Sequence, residues 1–586
     1  MPAERPPTAA PPVGAGVPFQ STTGRWILIA AVLGSGMAFL DGTVVNVALK
    51  TIGTDLGASL QELQWVTNAY LLALASLILL GGSLGDRFGR RRTFQIGVGW
   101  FAVCSLLCGL AQTPVQLIAA RALQGVGGAL LTPGSLAMIQ GSIAESDRGA
   151  AIGAWSGLGG VAAAIGPFVG GGLVQFANWR FVFLINLPLA VITMVIAGRK
   201  VPESANPDAA GRFDIVGAAL ATVALAGITL ALVEARTLPT GWVILSAAVG
   251  LLALAGFVLV ERSIGNPMMP TQLFGSLQFS ASNAMTLVTY AAFGAVVFFL
   301  VLQLQIGAGF GPLAAGVADL PLTVLMLLLA SKGGALAARI GPRLPMTVGP
   351  LLCAAGVALL TGIGAGTSYW TGVLPGMVLF GAGLVFLVAP LTATVLAAAP
   401  DRHAGIASGI NNAVARAGSL LAVAALPAIV GLNGDVYRDP IAFGNGYRGA
   451  MWICVGLLVA GGVVSGLLIR NPPRSADSRH DPDIDGGPAW NHVDPPRHSQ
   501  GSRRSGPASD DDRIGDESGE QSEQQTVRDQ VRPFGPSSNA EQLGDDVHDG
   551  AGGERQEDHA DRLGGEAVTD GGADEGWSAA DSGHRQ

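Results

Sequence analysis

The sequence predicts an all-α polytopic membrane protein, with fourteen transmembrane helices arranged as two six-helix bundles and an inserted helix pair. Three observations predict it. Mean hydropathy is +0.46, and only 13% of the 586 residues are charged. Up to residue 470 the chain is a succession of apolar runs of about 20 residues, the length that a ~30 Å hydrocarbon core requires. One short basic loop also occurs twice. Gly82–Arg92 (GSLGDRFGRRR) and Gly334–Arg343 (GALAARIGPR) align without a gap as G-x-L-x-x-R-x-G-x-R, 252 residues apart. Each copy follows one long apolar run and precedes another, as in a chain built from two related membrane bundles. That architecture belongs to transporters.

The apolar runs place spans at 26–49, 65–84, 93–111, 114–139, 150–173, 181–198, 214–233, 242–260, 279–302, 317–336, 345–364, 370–396, 404–431 and 449–470. They are continuous rather than alternating over ~10 residues, so they are helices and not barrel strands. Residues 1–24 are rich in Pro, Ala and Thr, and the run Trp26–Leu49 is too long for a signal-peptide core. It is expected to remain as the first span. The offset of 252 maps Thr93, where span 3 starts, onto Pro345, where span 11 starts, and Pro suits a first helical position. The expected domains are a cytoplasmic segment 1–25, a bundle 26–199, a linker with inserted helices 7 and 8 at 200–278, a second bundle 279–470, and an acidic tail 471–586.

Charge divides the chain. Residues 471–586 hold 26 of the 42 Asp and Glu but 11 of the 34 Lys and Arg, a net of about −15, while residues 1–470 carry about +7. The tail has almost no large apolar residues to offset ordering entropy, so it is expected to be disordered. Its histidines (His480, His492, His498, His548, His559 and His584) are scattered and form no metal site.

Loop charge sets the orientation. With residue 1 inside, the inside loops and span ends hold Arg87, Arg90, Arg91, Arg92, Arg148, Arg199, Lys200, Arg212, Arg262, Lys332, Arg339, Arg343 and Arg402. The outside holds Lys50, Arg180, Arg236, Arg438 and Arg448. Both termini are therefore expected in the cytoplasm. The Ala- and Gly-rich composition fits a high-GC bacterium and its cytoplasmic membrane.

Several function classes are excluded. There is no GxxxxGK[ST] phosphate loop and no HExxH zinc helix. The sole histidine outside the tail, His403, falls in a loop, so carboxylates must carry a proton if one is carried. Cys104, Cys108, Cys353 and Cys454 all lie in apolar runs and read as small packing residues. No enzyme activity, cofactor, metal, nucleic acid or obligate protein partner is expected. The expected partners are a small amphipathic substrate, protons and the lipid bilayer.

Charges inside the spans carry the functional reading. An ionised side chain at a helix centre costs about 2.5–3.5 kcal/mol on insertion scales, so each is a functional candidate. Asp41 lies eight residues before the outer end of span 1, roughly 12 Å, and Arg121 seven residues past the outer start of span 4, roughly 10 Å. At similar depth they can share one cavity, or form a structural pair. A nearby guanidinium lowers a carboxyl pKa and burial raises it. A group poised between the two can load and release a proton, and a cationic substrate would compete with that proton. Asn46, five residues beyond Asp41, is placed in the same coupling set. Arg416, twelve residues into span 13 or roughly 18 Å deep, has no acidic partner in the sequence. It can face the substrate path, bond helix carbonyls or deter protons. Asp319, two residues into span 10, can line the outer mouth, but an interfacial position accounts for it.

Four segments carry a family resemblance: Leu40–Leu49 (LDGTVVNVAL) in span 1, the loop Gly82–Arg92, Arg121–Ala129 (RALQGVGGA) in span 4, and Gly166–Gly171 (GPFVGG) in span 5. Together they resemble the fourteen-span drug:proton antiporters of the major facilitator superfamily over nearly all of residues 26–470. The family usually has Pro where this chain has Lys50. The resemblance implies two bundles rocking about a central site. It makes Gly82, Gly85, Asp86, Arg87, Gly89 and Arg90 a conformational-switch loop that locks one access state, where Asp86 can pair with Arg90 or with a neighbouring helix N-terminus; a positive-inside anchor formed by Arg90, Arg91 and Arg92 also accounts for the loop. The second copy has Ala338 at the position of Asp86, so that lock is asymmetric. It makes Gln124, Gly125 and Gly128 part of the coupling helix with Arg121, and Gly166, Pro167, Gly170 and Gly171 the antiporter motif. Glycines four apart, at Gly153/Gly157 and Gly166/Gly170, also allow close helix packing without any further role. Trp179–Pro188 resembles the family's start of span 6, and reads equally as an interfacial anchor. The resulting expectation is export of amphipathic or cationic drugs in exchange for protons. The alternatives are a dedicated exporter of one metabolite or antibiotic, and a transporter-like membrane sensor.

Overall fold

The computed structural model describes residues 16–204, 214–265, 267–400 and 404–471. The expectations for the N-terminal segment, Arg212, Arg402, His403 and the acidic tail lie outside the described residues.

Among the described residues there are fourteen helices long and apolar enough to cross a membrane. In the first half they are α1 (Thr22–Leu56), α2 (Leu60–Phe88), α3 (Arg90–Leu110), α4 (Pro114–Ser142), α5 (Glu145–Phe176) and α6 (Phe181–Lys200). Next come α7 (Ile215–Val233) and α8 (Thr240–Ser263). The second half is α9 (Leu277–Ile306), α10 (Pro312–Ile340), α11 (Arg343–Leu360), α12 (Tyr369–Ala397), α13 (Gly405–Ile429) and α14 (Pro440–Leu468). The predicted count and order hold, and several helices are longer than their apolar cores.

Local signals set the turns. α1 ends at Gly57, whose φ of 63° is left-handed, and α2 follows at once through a capping box. There the Ser59 N–H donates to Glu62 Oε2 at 2.7 Å, and the Glu62 N–H donates to Ser59 Oγ at 3.3 Å. Thr113 caps α4 and Asp439 caps α14, each with Pro in the first turn.

The repeated loop is repeated in geometry. Gly89 and Gly341 occupy the same motif position, and both have positive φ, 103° and 89°. The next helix is capped in each case by a side chain from just beyond the sixth helix of that half. The Arg91 N–H donates to Glu203 Oε1 at 3.0 Å, and the Arg343 N–H to Asn471 Oδ1 at 3.0 Å.

In the first half α1 packs on α4, α5 and α6, while α4 packs on α2 and α3. In the second half α9 packs on α13 and α14, α11 on α12 and α14, and α10 on α12. The pair α7/α8 forms a hairpin, with α7 against both α2 and α13. Large apolar side chains such as Trp242, Leu252 and Leu259 on α8 are exposed, as a helix facing lipid requires.

The halves meet through α1–α9, α2–α13 and α5–α10. Polar bonds between them gather at the face opposite the repeated loops. Gln64 Nε2 donates to the Val423 carbonyl at 2.7 Å, Gln305 Nε2 to the Val47 carbonyl at 2.9 Å, and Tyr437 Oη to the Ala58 carbonyl at 2.8 Å. Lys50, at the family's usual Pro position, is not at a helix end, because α1 runs on to Leu56. Its Nζ donates to the Gln305 carbonyl at 2.7 Å and so bonds the two halves.

Two sequence expectations need correction. α10 starts at Pro312 rather than 317 and is broken at Ala318–Asp319, where Pro321 opens the next segment. Trp179 is not an interfacial anchor. It is 2% exposed, donates to Asp55 Oδ2 at 2.8 Å and lies under Arg180, which also binds Asp55, at 2.9 Å. The start of α6 is thereby fixed to the end of α1.

Candidate functional site

The site is built from helix-packing glycines upward. A Cβ on Gly125 would lie 2.5 Å from the Tyr70 carbonyl oxygen, and one on Gly128 3.3 Å from Tyr70 Oη. Their lack of side chains lets α4 lie close on α2. This approach sets Arg121, one turn before Gly125, over the Tyr70 ring at 4.2 Å. Gln124 shares a face with Arg121, three residues on.

Asp41 and Arg121 meet. Arg121 Nη1 donates to Asp41 Oδ2 at 2.5 Å and to Gln124 Oε1 at 2.8 Å, and its Nε donates to the Val66 carbonyl at 3.1 Å. Asp41 Oδ1 accepts from Gln124 Nε2 at 2.9 Å and from Asn186 Nδ2 at 3.3 Å. Ser105 Oγ accepts from both amides, at 2.8 and 3.2 Å. Five helices contribute, and Asp41, Gln124, Ser105 and Asn186 are all 0% exposed. A buried ion pair is stable only when its remaining lone pairs and protons are satisfied. Here the carboxylate accepts three bonds and the pair is neutral as a unit.

A cavity of about 2110 Å³ lies between the two halves. Asn46, Tyr70 and Arg121 line it from the first half, and Tyr290, Asp319 and Arg416 from the second. It reaches Asp86 and Arg87 at the end of α2, Arg90 at the start of α3 and Gly265 after α8, so it opens on the face that carries the repeated loops. The opposite face is closed by the bonds described above. Asp41 does not line the cavity, whereas its partner Arg121 does. Asn46 is 8% exposed and donates to the Gly42 carbonyl of its own helix at 3.3 Å.

The remaining expected residues are distributed as follows. Asp86 pairs with Arg90 at 2.8 Å, where Asp86 is 40% exposed. The Arg87 guanidinium lies 5.9 Å from the centre of the Phe88 ring. Gly82 faces Pro133, and Gly85 lies near Thr93. In α5 the two glycine pairs part ways. A Cβ on Gly166 would meet Thr43 on α1, one on Gly170 would meet Val44 at 2.8 Å, and one on Gly171 would meet the Pro312 carbonyl at 2.7 Å. Pro167 contributes its carbonyl to a close approach with Gly316 of α10. Gly153 and Gly157 have open space around them and line the cavity, so they pack no helix.

Asp319 is not interfacial. The early start of α10 places it seven residues in, at the helix break and on the cavity wall. Arg416 also lies on that wall, near the middle of α13, with its Nε donating to Asn412 Oδ1 at 3.1 Å. No carboxylate lies within ion-pair distance of it among the described residues.

The sequence reading missed Ser105, Asn186 and Tyr70. Asn186 had a signal, since it is an amide in the apolar stretch Trp179–Pro188. Ser105 and Tyr70 had none, because no spacing relates them to Asp41.

Fourteen membrane-length helices, with a cavity between two six-helix halves, have the architecture of a polytopic membrane transporter. Comparison with known proteins agrees. Residues 31–423 match the model of the Major Facilitator Superfamily, and the chain belongs to that family. It is 37% identical over 430 residues to the tetracenomycin C resistance and export protein of Streptomyces glaucescens, covering 71% of this chain and 78% of that protein. It is 35% identical to the puromycin resistance protein pur8 of Streptomyces alboniger, covering 77% and 92%. It is 34% identical to the multidrug resistance protein Stp of Mycobacterium tuberculosis, covering 69% and 75%. Among solved structures, the fold is similar to a POT family transporter in complex with a thioalcohol-conjugated peptide, with a TM-score of 0.59, 14% identity, and 78% and 99% coverage. It is also similar to a bacterial homologue of the lysosomal transporter Spinster in an inward-facing conformation, with a TM-score of 0.55, 17% identity, and 77% and 97% coverage.

Proposed function

We propose that this protein exports amphipathic organic compounds, antibiotics among them, across a bacterial cytoplasmic membrane in exchange for protons. In this reading both termini are cytoplasmic, and the face carrying the repeated loops is the inner face. The segments 26–199 and 279–470 rock about the cavity, with α7 and α8 carried between them. The resistance and export functions named for the relatives support the direction and the class of cargo.

The observation that carries proton coupling is the sealed Asp41–Arg121 pair beside the cavity. Asp41 is the one carboxylate in the first bundle's interior that a proton can neutralise. Protonation removes the charge that holds Arg121, and Arg121 lines the cavity. Proton and substrate then communicate through the guanidinium rather than competing for one carboxylate. The Asp86–Arg90 pair and the Lys50–Gln305 bond act as latches at opposite faces.

The test is efflux of a fluorescent amphipathic dye from energised cells. Extrusion that stops both with an uncoupler and with Asp41→Asn supports the reading. Uncoupler-sensitive extrusion that survives Asp41→Asn moves the proton site elsewhere, with Asp319 next. A dedicated exporter of one compound is the second reading, favoured because two of these relatives are named for single antibiotics.

A further inference from the structure

Arg416 is a cation on the cavity wall that makes no ion pair among the described residues. A guanidinium has five N–H donors. One is taken by Asn412, on Arg416's own helix and itself neutral, and among the described residues no other acceptor is bonded to it. Arg121 differs, since its bonds tie three helices together. Arg416 ties α13 to nothing, so helix packing does not explain it.

Aromatic side chains line the same cavity as Arg416, and close helix packing fixes the helices that carry them. A Cβ on Gly418 would lie 2.5 Å from the Leu287 carbonyl oxygen, and one on Gly294 would lie 2.6 Å from Ser419. Ser419 Oγ, one turn beyond Arg416, donates to the Tyr290 carbonyl at 2.9 Å. α13 is thus held on α9 one turn from Arg416, and Tyr290 and Tyr70 line the same cavity as Arg416. Beside Tyr290 are Phe293 and Phe380, with ring centroids 6.1 Å apart and planes 14° apart. Arg416 and these three rings all line the cavity.

We infer that this wall binds organic anions with a planar aromatic body, the acidic group on Arg416 and the ring system against Tyr290, Phe293 and Phe380. This rests on the reading of the cavity as an export path for amphipathic compounds, and it names the charge class of the cargo. A guanidinium pairs with carboxylate, phenolate or sulfonate oxygens through charge-assisted bonds, at full strength only in a site screened from bulk water. Flat aromatic faces supply affinity for a flat ligand. Asp319, on the same wall, makes no ion pair with Arg416 and is no substitute for the missing anion.

The experiment uses two dyes built on the same three-ring xanthene: anionic fluorescein and cationic rhodamine 6G. Binding to the full-length protein in lipid nanodiscs is followed by fluorescence anisotropy for wild type, Arg416→Gln and Arg416→Lys. Wild type is expected to bind fluorescein more tightly. Arg416→Gln should weaken fluorescein on the order of ten- to a hundredfold, as for loss of a charged hydrogen bond, and leave rhodamine 6G unchanged or tighter. Arg416→Lys should keep part of the affinity. Preference of wild type for rhodamine 6G, fluorescein binding indifferent to Arg416→Gln, or binding of neither dye overturns the inference. The same dyes in proteoliposomes with an imposed pH gradient separate it from the export reading. Fluorescein bound through Arg416 but not moved by the gradient overturns proton-driven export alone. Rhodamine 6G moved by the gradient, with Arg416 irrelevant, overturns the anion site alone.

Discussion

In the first half of the molecule Arg121 is held by Asp41, Gln124 and the Val66 carbonyl, and is 1% exposed. In the second half Arg416 holds only Asn412 and faces the cavity. The loops repeat the contrast. Asp86 pairs with Arg90 after α2, whereas Ala338 and Pro342 stand at those places after α10 and cannot pair. Two halves with one fold have therefore divided the electrostatic work. In the first half the buried charge is closed in the Asp41–Arg121 pair, and in the second Arg416 and Asp319 lie on the cavity wall with no ion pair among the described residues.

The largest effect expected is at Arg121. Arg121→Gln leaves Asp41 buried without its partner, which costs about 3–5 kcal/mol. Arg416→Gln breaks no ion pair and is expected to change stability by less than about 1 kcal/mol. Thermal melting of the two purified variants checks this, and equal losses would erase the contrast. Asp41→Asn combined with Arg121→Gln should recover much of the stability without recovering proton-driven efflux.

Next is Gly125→Ala. Its added methyl meets the backbone of Tyr70, so α4 must move and about 1–3 kcal/mol is lost. Gly153→Ala, in open space, should cost under about 0.5 kcal/mol, and the same melting assay ranks them.

Lys50→Met removes a charged hydrogen bond between the halves, worth about 1.5–3 kcal/mol where it forms. It should shift the equilibrium toward opening at the face opposite the repeated loops. Faster thiol labelling of a cysteine introduced at Ser419 from that face would show it, and an unchanged rate would remove Lys50 as a latch. The smallest effect is Asp86→Asn. This pair is partly exposed and worth about 0–1 kcal/mol. The variant should alter labelling from the loop face more at low salt than at high salt.

How much was legible in the sequence varied by residue. The depth argument from 1.5 Å per residue brought Asp41 and Arg121 to one level, and the structure joins them. The same argument failed for Asp319, because apolarity alone began α10 at 317 while the helix starts at Pro312 and breaks before Pro321. Asn186 was visible only as part of a stretch read as an anchor. Ser105 could not be found, since a serine in an apolar run is compatible with any helix face. Lys50 was visible only as a departure from the family's usual Pro, and in the structure it bonds the halves.

The sequence by itself determined what depends on local chemistry. The number and order of spans follow from apolar length, the turns from Gly57, Ser59, Gly89 and Gly341, and the twofold plan from a loop repeated at a fixed offset. These are near-neighbour properties, fixed by transfer free energy and by φ. Only the tertiary structure decided which buried polar groups meet. It set Gln124, Ser105 and Asn186 around Asp41, kept Asp41 off the cavity, and left Arg416 without an ion pair among the described residues. Those outcomes depend on how the helices rotate and approach one another, through contacts tens to hundreds of residues apart such as Gly125 on Tyr70 and Gly418 on Leu287.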